Sequence, residues 1–244
     1  MPMFRHLALP VCLAAALGLA PDVALTAGCA EDAMIVLDGS GSMSGMGFDR
    51  RRDARIVEAR AALGEVLPGI ERVRRLGLVT YGPGEGRVCE RVDLVFRPAP
   101  NAAGPILERV DALWPAGATP LTRAVRTAAA TLDGAGGTVV LVTDGKETCG
   151  GNPCALADRL ALMRTGLTVH VIGFRVTGGR LSRGDEVDRD YGRAVADARC
   201  LADRTGGRYI DAQDAEALIA ALRETLGCLA IGDATWLPEH VFAR

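Results

Sequence analysis

Asp38, Ser40 and Ser42 stand at alternating positions in the stretch M-I-V-L-D-G-S-G-S-M (34–43). One carboxylate and two hydroxyls are hard oxygen donors, the kind a hard divalent cation prefers. The apolar run before them reads as a buried parallel strand, and the glycines between them as a relaxed loop at its end. Three oxygens do not close a coordination shell, so other segments have to deliver more. Thr119, in G-A-T-P-L (117–121), precedes a proline that suits the first position of a helix, and it is predicted to be that helix's N-cap. Asp144 follows a second apolar run, T-V-V-L-V-T (138–143). Two carboxylates and three hydroxyls together suit Mg2+ (or Mn2+), which takes octahedral oxygens and keeps some waters.

Such a set forms only if one sheet brings the three stretches together. The periodicity predicts helices over 52–67 (stopped by Pro68-Gly69), 101–113, 120–132, 153–165, 191–204 and 214–226. Strands are predicted over 76–81, 92–96, 138–143, 168–174 and 208–210, in addition to the opening run. Strands 76–81 and 92–96 are joined by a glycine-rich turn and read as a hairpin with an edge strand. The fold class is therefore α/β, a Rossmann-like doubly wound and mostly parallel sheet with one antiparallel edge strand and helices on both faces. In such sheets ligands sit beyond the C-terminal ends of the strands, where Asp38 and Asp144 are placed.

D-G-S-G-S (38–42), G-A-T-P-L (117–121) and T-D-G (143–145) resemble the three-part metal-ion-dependent adhesion site of von Willebrand factor A domains, a site shared by integrin inserted domains. The resemblance extends over residues 33–226. D-G-K-E-T-C-G-G-N-P-C (144–154) and C-L-A-D-R-T-G-G-R-Y (200–209) look more narrowly like exported bacterial members of that family. It implies that Ser40, Ser42 and Thr119 ligate the cation through their hydroxyls, while Asp38 and Asp144 act mainly through bound water and hydrogen bonds. One position is left for an acidic group of a protein partner. The implied function is a metal-dependent binding or adhesion module and not an enzyme. A scaffold with a purely structural metal and a metal-dependent hydrolase are the alternatives. For a hydrolase, Lys146 and Glu147 are the nearby candidates, and nothing in the sequence positions them.

The chain has 244 residues, 49% of them hydrophobic, enough for one domain with a full core. Its formal charge of −2 offers no basic field for nucleic acid, and 4% aromatics make no stacking platform. Arg5 and His6 precede an apolar stretch (7–20) that reads as an export signal, too short for a retained membrane span. Cleavage after Ala27 or Ala30 fits, and lipid attachment at Cys29 is the alternative. The expected organisation is a signal peptide over 1–27, a von Willebrand factor A domain over 31–227 and a C-terminal extension over 228–244. The place of residence is then the periplasm or the exterior. Six cysteines remain if cleavage follows Ala27, an even count that suggests disulfides in an exported chain, with buried free thiols as the alternative. Cys149–Cys154 and Cys29–Cys228 are the favoured pairs, which leaves Cys89 with Cys200. Arg183-Gly184-Asp185 is read as part of a polar loop (177–190), His170 as a packed strand residue, and Met43 with Met46 as either a rim of the site or packing.

Overall fold

Three runs rich in Val, Ile and Leu are buried at every position, which only strands covered on both faces achieve. They are β1 (Ala33–Asp38), β2 (Leu76–Tyr81) and β4 (Gly137–Thr143). The computed structural model describes residues 31–45, 53–84, 88–132, 136–163, 166–176 and 185–227. Within them β3 (Val92–Ala99), β5 (Leu167–Phe174) and β6 (Tyr209–Ala212) complete one sheet in the order β3-β2-β1-β4-β5-β6. All neighbours pair in parallel except β2 and β3, which are antiparallel. The expected fold class is the one found, and β3, with Pro98 near its end, is the edge strand.

Alternation along β1 divides the core. Ala33, Ile35 and Leu37 face α1 (Arg55–Ile70), α2 (Ala103–Asp111) and α6 (Ala215–Leu226). Met34 and Val36 face α3 (Leu121–Thr131), α4 (Pro153–Leu162) and α5 (Asp185–Arg204). The chain leaves β1 toward one face through α1 and leaves β4 toward the other through α4. The strand order reverses between β1 and β4, so the loops after them part and open a crevice there. Asp38 ends β1 and Asp144 directly follows β4.

Several boundaries differ from the periodic reading. Pro68 does not stop α1, which runs to Ile70. The proline forfeits one backbone bond, while Ile70 is buried in the α1/α6 layer. Helix α5 starts at Asp185, inside the stretch read as a polar loop. Met43 is fully buried and packs in the core, so it forms no rim.

The disulfides also differ. Cys149 pairs with Cys89 and Cys154 with Cys200, with Cα–Cα separations of 5.4 and 5.3 Å. Cys154 sits in the first turn of α4 and is turned toward α5, while Cys149 lies before the Gly150-Gly151-Asn152 bend and meets the 3-10 turn Val88–Glu90. Nearness in sequence therefore does not bring the two side chains together. The signal peptide with its cleavage site, Cys29, Cys228, Met46, Arg183, Gly184 and the 228–244 extension lie outside the described residues. Among the described residues no helix is long and apolar enough to cross a membrane.

The loops above β1 and β2 approach backbone to backbone, with the Pro83 ring also against Gly39. Gly82 has φ +105°, and a Cβ there would lie 2.5 Å from the Ser40 nitrogen and 2.6 Å from the Gly39 carbonyl carbon. Gly82→Ala combines an unfavourable φ with that overlap, and a loss of about 1–3 kcal/mol is expected. Denaturant unfolding checks it: the midpoint falls with the slope unchanged. An unaltered midpoint would contradict the packing described.

Candidate metal centre

Asp38 is fully buried at the end of β1, on the face of Met34 and Val36. Its Oδ1 accepts the Ser40 N–H at 2.8 Å, and its Oδ2 accepts the Thr143 hydroxyl at 2.7 Å. The Tyr81 hydroxyl donates to Thr143 Oγ1 at 3.2 Å. Oδ1 thus shapes the loop after β1, while Oδ2, through Thr143, ties in the ends of β4 and β2. Burial beside Asp38 pushes the Tyr81 hydroxyl well above its ordinary pKa, so it stays a donor.

After Asp38 the chain turns through a 3-10 segment, Gly41–Ser44, pinned by the buried Met43. This turn aligns three oxygens. Ser40 Oγ lies 3.0 Å from Ser42 Oγ, and Ser42 Oγ donates to Asp144 Oδ1 at 2.6 Å. Ser40 and Asp144 are buried and Ser42 between them is exposed, so the row reaches the surface at its middle member.

Thr119 joins from the segment before α3. The Gly41 N–H donates to the Gly117 carbonyl at 3.1 Å, and the Ala116 N–H to the Gly39 carbonyl at 2.9 Å. Thr119 is not the helix N-cap that its spacing predicts. Pro120 occupies that position without a side-chain bond. Capping comes from the loop after β4: Glu147 Oε2 accepts the Thr122 N–H at 2.8 Å, and Glu147 Oε1 accepts the Cys149 N–H at 2.7 Å. Thr148 Oγ1 accepts the Thr119 N–H at 2.8 Å, and the Thr148 N–H donates to the Thr119 carbonyl at 3.1 Å. This lacing relieves the Thr119 hydroxyl of capping. The Cys89–Cys149 disulfide ties the same loop to the β2–β3 connection.

Glu147 is accordingly positioned after all, but both its oxygens serve the loop and α3. His170 Nδ1 accepts the Arg208 N–H at 3.1 Å, beside the β5–β6 pairing. Burial lowers its pKa below the usual histidine value.

Arg55 is a functional neighbour that the sequence reading missed. Its Nε lies 3.3 Å from Asp144 Oδ2, and its other nitrogens donate to the carbonyls of Ser42, Gly45 and Arg175 at 3.2–3.3 Å. Arg175, with a left-handed φ of +50°, pairs with Glu58 at 2.9 Å and donates to the Asp53 carbonyl at 3.0 Å. One signal was available: a cation in the first turn of a helix opposes the dipole and calls for an anionic partner. Burial lowers the Arg55 pKa, against the pull of Asp144. Burial, and then the nearby Asp38 carboxylate, pushes Asp144 up to about 6, against the Ser42 hydrogen bond and Arg55.

The donor chemistry fits a hard divalent cation. Neighbouring ligands in an octahedron of oxygens at about 2.1 Å stand about 3.0 Å apart, which is the Ser40–Ser42 hydroxyl spacing of 3.0 Å. Among the described residues no three His, Cys, Asp or Glu side chains converge as a metal cluster. Asp38, Ser40, Ser42 and Asp144 form one hydrogen-bonded chain, and Thr119 stands on the loop bonded to it.

The fold is an open α/β sheet with Asp38 and Asp144 at its switch point. Residues 33–147 match the family model of the von Willebrand factor type A domain. Two uncharacterised proteins of Bacillus subtilis (strain 168) are similar to the chain. YwmC is 29% identical over 153 residues, 57% of this chain and 64% of YwmC, so the chain spans just under two thirds of that relative. YwmD is 29% identical over 194 residues, 75% of this chain and 79% of YwmD. Among solved structures, the pilus adhesin SpaC of Lactobacillus rhamnosus GG has a TM-score of 0.61 at 17% identity, covering 81% of this chain and 30% of SpaC. A von Willebrand factor type A protein of Catenulispora acidiphila has 0.55 at 19%, covering 81% and 42%. Proximal thread matrix protein 1 of the mussel byssus, described with a zinc-occupied adhesion-site motif, has 0.50 at 13%, covering 81% and 45%. At these identities the structures share the fold.

Two outcomes follow from the geometry. Glu147→Ala removes the acceptor of the Thr122 N–H and is expected to cost about 1 kcal/mol. Amide exchange at Thr122 and Cys149 should accelerate, and unchanged exchange there would contradict the lacing. Asp144 holds its proton more tightly when folded than its ordinary value of 3.8 allows. The metal-free native state therefore binds more protons than the unfolded one between about pH 4 and 6. Stability from this group rises as pH falls through that window and is lost above it. In chelator, wild type should gain stability relative to Asp144→Asn on going from pH 7.5 to 5; a flat difference would contradict the burial.

Proposed function

We propose that residues 31–227 form an exported von Willebrand factor A domain that binds Mg2+ or Mn2+ through Asp38, Ser40, Ser42, Thr119 and Asp144 and uses the site to hold a carboxylate of a protein partner. The observation that carries this reading is the row of Ser40 Oγ, Ser42 Oγ and Asp144 Oδ1, spaced 3.0 and 2.6 Å, in which the exposed Ser42 bridges the buried Ser40 and Asp144. The bound cation would supply an open coordination position for that carboxylate. Mostly neutral ligands would leave it much of its charge.

Each side chain has a distinct task. Ser40, Ser42 and Thr119 offer hydroxyl oxygens. Asp38 fixes the loop through the Ser40 N–H and Thr143. Asp144 orients the Ser42 hydroxyl while Arg55 holds its other oxygen. Exposure of Ser42 favours partner binding over a purely structural metal. The protein with a zinc-occupied motif supports a cation in this fold. Export is supported by the apolar leader and by two disulfides, which persist in oxidising compartments. Lipid attachment at Cys29 remains the alternative to cleavage and release.

Metal stabilises the native state by mass action, about 2.7 kcal/mol at a hundredfold excess over Kd. Mg2+ or Mn2+ should therefore raise the melting temperature of wild type over that in chelator. Ser42→Ala and Thr119→Ala should abolish most of that rise while leaving the metal-free melting temperature near wild type. Equal rises in the wild type and both variants would remove the site from the account. Capture of a protein partner should require the cation and be lost in Asp144→Ala.

A further inference from the structure

Trp114 is 83% exposed, the most exposed of the large hydrophobic residues described and the one aromatic among those exposed. The fold gains little by leaving an indole in water, and tryptophan is the residue most enriched where binding energy concentrates. Its placement is specific. Leu113, just before it, is buried, and a Cβ on Gly39 would lie 3.0 Å from a Leu113 methyl. The Leu113 carbonyl accepts Arg60 Nη2 at 2.5 Å. Pro115, just after it, restricts Trp114 to extended backbone. The next two residues bond the loop of Ser40 and Ser42, Ala116 N–H to Gly39 and Gly41 N–H to Gly117. Trp114 therefore stands on a stiff segment anchored on both sides to the candidate metal loop.

We infer that Trp114 is the apolar anchor of the partner-binding face, and that the partner is a protein segment carrying Asp or Glu with an apolar or aromatic residue close to it. This rests on the metal-dependent reading above and adds the partner's second recognition element. A carboxylate alone offers the site little specificity, because any acidic residue supplies one. An adjacent indole restricts binding to segments with the right neighbour. Because its flanks are already fixed, the indole loses little freedom on binding, and contact area converts more fully into affinity.

A displayed random heptapeptide library serves as the probe. It is bound to the full chain in Mg2+ and eluted with chelator, and enriched peptides are synthesised and titrated. The expected peptides pair an acidic residue with a close apolar or aromatic one. They should bind Trp114→Ala at least tenfold more weakly than wild type, with Trp114→Phe retaining most of the affinity. Their binding should also shift the indole fluorescence. The Mg2+-induced rise in melting temperature of Trp114→Ala is the control for folding and for the cation site. Mg2+-dependent acidic peptides that bind Trp114→Ala as tightly as wild type would overturn the anchor and leave the metal reading standing. Binding indifferent to chelator, or no Mg2+-dependent peptide at all, would overturn both. Mg2+-dependent self-association lost in Glu239→Gln would also overturn the inference, by showing that the C-terminal segment of a second copy fills the face.

Discussion

Backbone-to-backbone contact between three loops is the constraint on which the site depends. A Cβ on Gly39 would meet the Tyr81 carbonyl at 2.8 Å, one on Gly82 the Ser40 nitrogen at 2.5 Å, and one on Gly117 the Gly82 carbonyl oxygen at 2.3 Å. Each of the three glycines thus makes room for another loop, and Gly82 and Gly117 also adopt positive φ. The loops after β1 and β2 and the segment before α3 can then approach one another closely, with Ser40, Ser42 and Thr119 carried on them. The strand order supplies the crevice, and the glycines bring the loops into it.

Charge is the second constraint. Asp38 and Asp144 are buried on adjoining strand ends, and their repulsion contributes to the raised pKa of Asp144. Arg55 offsets part of it, and Glu58 with Arg175 continues the network toward β6. A divalent cation would relieve the remainder more directly than a proton does. The same carboxylates that strain the metal-free state would then stabilise the loaded one, which links cation binding to the rigidity of the loops that meet a partner.

Much of this was legible in the sequence, for identifiable reasons. Continuous apolar runs mark strands buried on both faces, and the donors directly after two of them fall at the sheet's switch point. What sequence missed is long-range. Arg55 reads as an ordinary helix residue until Asp144 is brought beside it from 89 positions away in the chain. Thr119 has the spacing of an N-cap, but Glu147 and Thr148 arrive from the loop after β4 and take over that task. Cys149 and Cys154 are near in sequence, yet the turn into α4 sends one to α5 and the other to the β2–β3 connection. Local rules also failed where burial outweighs them, as at Pro68 inside α1.

In the proposed site, oxygens from three loops hold one cation with a position open to the outside. Water-proton relaxation of the Mn2+-loaded full chain tests it most directly, since it reads both occupancy and the exchangeable water on the metal. The account expects one Mn2+ per chain, a relaxation enhancement from at least one exchangeable water, and loss of that signal in Ser42→Ala. Stoichiometric Mn2+ binding unaffected by that substitution, or no bound Mn2+ at all, would contradict it.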